Sequence, residues 1–277
     1  MLQLSQIIIY PIKGLPGIHL QECRIEARGF KYDRRFMLVD EEGLFISQRS
    51  FPKLTQCKIS MQGQGFFLSE PNAVAGIFLP AECDGITTQV KVWDDVCEAV
   101  VCAQPINDWF SHFLGITCKL VYMHNESQRF LDATYNPGNS LVSFADGFPF
   151  LLLGQSSLDD INARLSIPVS MDRFRPNLVF TGGTAFEEDG FFEFSIGSLP
   201  FVAAKPCARC AVPNINQETG AIEKEPNHML STFRKFNNKI LVGQNVYGKA
   251  HEGTLKIGDR IEVISKKIPE LSSRIFL

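Results

Sequence analysis

Short apolar runs broken by glycine and proline set the pattern of the chain. Residues 7–10 open it with Ile7, Ile8, Ile9 and Tyr10 and stop at Pro11. Residues 19–26 alternate imperfectly, with Leu20, Cys23 and Ile25 as the apolar members. Residues 36–39 and 44–46 flank Asp40-Glu41-Glu42-Gly43, an acidic, glycine-ended turn that predicts a hairpin. Runs at 66–68, 77–79 and 90–93 continue the β pattern. Many short strands of this kind predict a mostly β fold with few helices (α+β), a barrel or sandwich rather than a parallel α/β sheet.

Three segments read as helix. Residues 105–114 place Ile106, Trp109, Phe110, Phe113 and Leu114 on one face, with Pro105 in the first turn and Gly115 after the last. That aromatic stripe is ordinary core packing. Residues 157–165 follow with Ser156 as cap and Leu158, Ile161 and Leu165 as the buried stripe. A short third helix is expected over 230–236. Residues 125–146 are polar and carry the turn Asn136-Pro137-Gly138-Asn139, which suits an inter-domain linker or an active-site loop. The chain therefore divides into an N-terminal domain (1–120), a second domain (121–266) and a short tail (267–277).

Composition narrows the function. Hydrophobic residues make up 45% of the 277, ample for a buried core. The formal net charge of −3 gives no global basic field for nucleic acid, so any anion site must be a local cluster of Arg and Lys. The apolar run at residues 7–9 is too short for a signal peptide, and nothing approaches the ~20 apolar residues of a membrane span. A cytoplasmic location is expected, with most of the eight cysteines serving as small buried apolar side chains.

The sharpest local feature is Cys207-Ala208-Arg209-Cys210. A zinc site needs about four ligands, and no cysteine follows Cys210. A thioredoxin-like pair belongs at a helix start, whereas Cys210 runs into Ala-Val-Pro-Asn. Two structural thiols are a third reading. A fourth is one thiolate on a soft transition metal, in a site made electropositive by Lys205 and Arg209.

Four motifs, in order, extend that fourth reading: Tyr10-Pro11-Ile12-Lys13-Gly14, residues 33–40 (Asp-Arg-Arg-Phe-Met-Leu-Val-Asp), Arg173-Phe174-Arg175-Pro176-Asn177, and Lys205-Pro206-Cys207-Ala208-Arg209-Cys210. Val242-Gly243-Gln244-Asn245 and residues 253–259 follow. Together they resemble the MOSC family, and within it the amidoxime-reducing type that carries an N-terminal MOSC-associated β-barrel. The resemblance runs from about Ile7 to Ile264.

It implies a MOSC β-barrel packed with an N-terminal β-barrel-like domain, and a molybdenum cofactor whose metal is held by Cys210. By the same resemblance Lys13, Gly14, Arg35, Gly147, Phe148, Arg175, Ala208, Arg209 and Asn245 contact the cofactor. Strand alternation then sends Arg34 to the solvated face, opposite Arg35. The chain departs from amidoxime-reducing members at three points: Gly14 replaces a Ser, Gly147-Phe148 a Thr-Ser pair, and Asn245 an aromatic residue. Side-chain bonds to the cofactor give way there to backbone contacts.

The implied activity is molybdenum-dependent reduction of small N-hydroxylated compounds by oxygen-atom transfer. Electrons are expected from a separate ferredoxin, flavodoxin or reductase-type protein, since no cysteine after Cys210 can ligate an iron–sulfur cluster. His124 and Asp146 are candidate proton donors by their place in the polar stretch. A cofactor carrier or sulfur-relay module, and a cofactor-free partner-binding β-domain, are the alternatives.

Overall fold

The computed structural model describes residues 1–135, 138 and 140–271. Of the predicted 136–139 turn, Asn136, Pro137 and Asn139 lie outside the described residues, as does most of the expected tail. In chain order the elements are β1 (Gln3–Ile9), β2 (Ile12–Lys13), β3 (Ile18–Leu20), β4 (Glu22–Glu26), β5 (Gly29–Phe30), β6 (Phe36–Val39), β7 (Lys58–Gln62), β8 (Gly65–Ser69), β9 (Gly76–Pro80), β10 (Thr87–Val92), β11 (Asp95–Val101), α1 (Gln104–Leu114) and β12 (Lys119–Tyr122). Then come β13 (Phe150–Gly154), α2 (Gln155–Ala163), β14 (Leu178–Thr181), β15 (Phe191–Ile196), β16 (Leu199–Arg209), α3 (Asn227–Leu230), β17 (Lys235–Phe236), β18 (Lys239–Gly248), β19 (Gly253–Lys256) and β20 (Ile261–Lys266). Strand dominates and helices are few, as the pattern predicts.

The largest sheet runs β20-β15-β16-β18-β13-β14-β1-β3, with β17 on the side of β18. Its two ends meet: Gln3 bridges Arg260, Leu4 N–H donates to the Asp259 carbonyl, and Ile261 N–H donates to the Leu2 carbonyl. The sheet thus curls back on itself. A five-stranded sheet, β10-β11-β12-β6-β2, belongs to the N-terminal half, beside the three-stranded β7-β8-β9. The third small sheet, β19-β4-β5, joins residues from both halves.

Period-two alternation explains how adjacent residues serve different cores. On β1, Ile7 and Ile9 enter the core that holds Phe150, Phe194 and Phe201, while Ile8 enters the one that holds Leu158 and Phe174. On β6, Phe36 and Leu38 pack with Phe66 and Phe110, whereas Met37 and Val39 pack with Val121 and Phe144. Strands buried on both faces read as unbroken apolar runs, and both of these do.

Helix α1 starts one residue earlier than expected, with Pro105 in its first turn and Gly115 as a left-handed cap. Its Ile106, Phe110 and Phe113 are buried and Trp109 packs against them. Helix α2 begins at Gln155 with Gly154 at the cap; Ser156 is not the cap but donates its hydroxyl to the Gly183 carbonyl. The turn at 40–43 forms as read, its Asp40 carboxylate accepting from the Glu42 and Leu44 amides, although residues 44–46 contribute two isolated bridges, Phe45 to Val39 and Leu44 to Lys91, rather than a strand. The third helix is corrected. It covers Asn227–Leu230, and Lys235–Phe236 is strand. Asn237 and Asn238 both adopt positive φ, 43° and 61°, and turn the chain straight into β18. A two-residue turn of this handedness is what a tight hairpin needs.

Candidate functional site

A cleft opens where β2 and the segment after β6 face the ends of β13, β16 and β18. Lys13, Gly14, Arg34, Phe45, Arg49, Asp146, Gly147, Phe148, Arg175, Asn177 and residues 207–210 line it, together with Asn245. Five lining residues are basic (Lys13, Arg34, Arg49, Arg175 and Arg209), against one acid, Asp146. A chain with a net negative charge has therefore gathered local positive charge in one place.

Lys13 sits on β2, which pairs parallel to β6. Its ammonium donates to the Phe144 carbonyl at 2.9 Å and to Asp146 Oδ1 at 2.5 Å. Burial lowers the pKa of this ammonium, and Asp146 partly restores it. Desolvation opposes the Asp146 charge, weakly for a side chain that is 70% exposed; the hydrogen-bonded Lys13 and the Trp93 N–H overcome it and hold the carboxyl below the ordinary carboxylate range. Gly14 follows at φ +90°, a conformation that suits glycine, and its carbonyl accepts from Gln48 Nε2.

The two adjacent arginines exchange the places expected of them. Strand geometry begins only at Phe36, and Arg34 has φ +50°, so alternation does not reach it. Its side chain is 14% exposed, not solvated, and lines the cleft. Arg34 Nη1 donates to Asp33 Oδ2 at 2.6 Å and to Asn177 Oδ1 at 3.0 Å. Arg35, expected at the cofactor, is buried away from the cleft. Its guanidinium donates to the Met123 carbonyl, to Tyr122 Oη and to Asn125 Oδ1.

Arg175, in the segment before β14, also has a positive φ of 55°. Left-handed backbone at a non-glycine residue costs energy and collects at functional sites. The Tyr10 ring lies between Arg34 and Arg175, its centroid 4.6 Å and 4.2 Å from the two guanidinium carbons. Burial, with the neighbouring Arg34 charge adding to it, lowers the Arg175 pKa to about 10, so it stays charged at neutral pH. Among the described residues Arg175 has no hydrogen-bonded or ion-paired partner, in contrast to Arg34.

Strand β16 delivers the cysteine motif. Its register with β18 shifts twice, between Ala203 and Lys205 and between Pro206 and Ala208, so the Lys205–Cys207 segment is bracketed by bulges. Arg209 Nη1 donates to Cys207 Sγ and Nη2 to the Phe174 carbonyl, while the buried Nε has no partner. Cys210 follows the strand and is exposed; its carbonyl accepts from Asn227 Nδ2. Five of the other cysteines are buried and Cys83 is half-buried. The motif stands at a strand end, not a helix start. Among the described residues no group of three or more His, Cys, Asp or Glu side chains could hold a metal ion, which leaves a zinc site on Cys207 and Cys210 without further ligands.

Lys205, read as part of the electropositive surround, lies over the Tyr135 and Phe148 rings instead. His124 pairs with Glu98 and does not line the cleft; Asp146 does. Of the expected contacts, all but Arg35 line one cleft. Sequence reasoning missed Arg34, Phe45 and Arg49. Arg34 could be read only from a backbone twist that no residue pattern announces. A soft thiol at the mouth, an orphaned Arg209 Nε and a surplus of cations form a donor set suited to an anionic, sulfur-rich ligand.

Residues 1–117 match the MOSC N-terminal beta barrel domain and residues 139–262 match the MOSC domain. Mitochondrial amidoxime-reducing component 1 of Mus musculus is 27% identical over 281 residues, spanning 95% of this chain and 82% of the mouse protein. Mitochondrial amidoxime reducing component 2 of Bos taurus is 28% identical over 280 residues, spanning 93% and 82%. Molybdenum cofactor sulfurase of Oryza sativa subsp. japonica is 28% identical over 265 residues, which is 87% of this chain but 32% of the sulfurase. The chain belongs to the MOSC family, in the arrangement that places an N-terminal β-barrel domain ahead of the MOSC domain.

Proposed function

We propose that this chain binds molybdenum cofactor in the cleft and reduces N-hydroxylated compounds there, with Cys210 as the protein's ligand to the metal. The observation that carries the reading is the exposed Cys210 thiol in a cleft lined by five cations and one carboxylate. Relatives named for amidoxime reduction and for the molybdenum cofactor support it.

When bound, the cofactor supplies a two-electron redox centre for cleaving the N–O bond. The residues of the chain position it. Arg175, with no other polar partner, and Arg34, fixed by Asp33 and Asn177, would hold the cofactor phosphate with two guanidinium groups that both lie against the Tyr10 ring. Lys13 adds a third charge. Gly14, Gly147, Phe148, Ala208, Arg209 and Asn245 line the cleft and would face the pterin. Asp146 is the counter-ion of Lys13; held ionised, it is a poor acid at neutral pH and does not serve as the proton donor. The overall change is R–NHOH + 2 electrons + 2 protons to R–NH2 and water. The electrons come from a separate protein of ferredoxin, flavodoxin or reductase type. No helix among the described residues is long and apolar enough to cross a membrane, and we place the chain in the cytoplasm.

The test is full-length protein made in a host that synthesises the cofactor. It should carry up to one molybdenum per chain and reduce benzamidoxime with reduced methyl viologen. Cys210→Ala should abolish turnover while pterin is partly retained, and Cys207→Ala should keep most of it. Equal loss in both would favour a dithiol mechanism. Full activity in Cys210→Ala, or zinc in place of molybdenum, would reject the reading. The match to a sulfurase keeps a second reading in view, a carrier or sulfur relay. Molybdenum content without turnover selects it.

A further inference from the structure

Arg49 lines the cleft but stands apart from the cations that flank Tyr10. Its guanidinium carbon is 4.3 Å from the Trp93 ring centroid and 5.6 Å from that of Phe45. The two rings are themselves in tilted contact, with centroids 5.2 Å apart. Trp93 occupies the turn between β10 and β11 at φ +58°, and 42% of it is exposed. Its indole N–H donates to Asp146 Oδ1 at 3.0 Å. A bulky residue in left-handed backbone persists only where its surroundings hold it; here Asp146 and Arg49 do. The result is a firm wall at the rim of the cleft with a guanidinium against it.

Three other cations of the cleft already have partners within the protein. Lys13 is paired with Asp146 and Arg34 with Asp33, and Arg209 is bonded to the Phe174 carbonyl and the Cys207 sulfur. Arg175 and Arg49 are left, and among the described residues neither has a hydrogen bond or ion pair. On the proposed reading, the cofactor's terminal phosphate would be met by Arg175 and Arg34, beside Tyr10. Arg49 is braced instead on the Phe45–Trp93 pair, whose Phe45 ring Lys13 also faces at 5.1 Å, and is then a second anion receptor. A guanidinium stacked on aromatic faces keeps its edge donors free for a carboxylate.

Building on the proposed function, we infer that Arg49 is a specificity-determining residue that receives the carboxylate of the substrate. The substrates of this chain are N-hydroxylated compounds with an anionic substituent, and the Phe45–Trp93 wall fixes the arginine that reads it. No covalent step is added to the reaction; the carboxylate selects and orients.

The experiment compares benzamidoxime with 4-carboxybenzamidoxime, using cofactor-loaded full chain. Wild type should prefer the carboxylated compound in kcat/KM, mainly through KM. Arg49→Gln should reduce that preference roughly tenfold or more, the scale of one charged hydrogen bond. Arg49→Lys should recover part of it. Equilibrium dialysis of both compounds gives a readout independent of turnover, and should show the same Arg49-dependent difference in affinity. An equal preference in wild type and Arg49→Gln overturns the inference. So does a fall in molybdenum and pterin content in Arg49→Gln, since Arg49 would then hold the cofactor. If neither compound is reduced yet dialysis shows the Arg49-dependent difference, the anion site stands and the proposed reaction is what fails.

Discussion

Arg35 commits its guanidinium to the Met123 carbonyl, Tyr122 and Asn125 inside the N-terminal half, whereas Arg175 has only the face of Tyr10. Their substitutions should therefore separate. Arg35→Gln should destabilise the fold by about 2–4 kcal/mol, because it leaves buried acceptors unsatisfied, and differential scanning calorimetry reads that directly. Arg175→Gln should leave the melting temperature of cofactor-free protein nearly unchanged. Its affinity for the cofactor should fall about tenfold or more, as loss of one charged contact to phosphate implies. The opposite pattern, with Arg35→Gln losing cofactor at full stability, would restore the assignment that sequence motifs suggest. At this scale the contiguous motifs were readable, since Lys13-Gly14 and residues 208–210 arrive in the cleft together with Arg175. Arg34 was not, because its orientation is set by a positive φ and by Asp33 and Asn177. Arg49 and Phe45 carry no local signature at all; only the fold makes them neighbours of Trp93.

Strand β16 reaches the site through irregularity rather than regular pairing. On β18 the extra residue opposite Cys207 falls at Val242-Gly243, and Gly243 has φ +76°. A Cβ placed on it would lie 2.9 Å from the Leu152 carbonyl oxygen. Gly243→Ala should cost about 1–3 kcal/mol through left-handed strain and that close approach, and should loosen the Cys207–Cys210 segment as well. Thermal denaturation checks the first effect and cofactor retention the second. A variant as stable as wild type would show that the bulge can relax. The sequence announced strands, two of three helices and the turn at 40–43, because periodicity and turn residues are local. It could not announce the bulges, which are relations between strands. It did contain Asn237-Asn238, a hairpin signal weaker than Asn-Gly, and the apolar and aromatic residues around it favoured a helical reading instead.

Across the whole molecule the two halves share strands. β1 of the N-terminal half pairs with β14 in the large sheet and carries β3 on its other edge, and β4 pairs with β19. A fragment covering residues 123–277 should therefore fail to fold as a monomer, since it presents β14 as an open edge and exposes one side of two cores. Size-exclusion chromatography and amide hydrogen exchange would show this, and a compact, protected, monomeric fragment would contradict it. Strand pairing crosses between the two halves of the chain, at β1–β14 and at β4–β19. The sheet closes on itself through residues 2–4 and 258–261, so its first strand waits for nearly all the rest. On the ribosome, at ~5–20 residues per second, β1 emerges on the order of ten seconds before β14 and longer still before β20. For that interval the run Ile7-Ile8-Ile9 has β3 on one edge but an open edge where β14 will pair. Nascent-chain yield of this protein should consequently depend on the chaperones that meet it at the exit tunnel more than on the stability of the finished barrel.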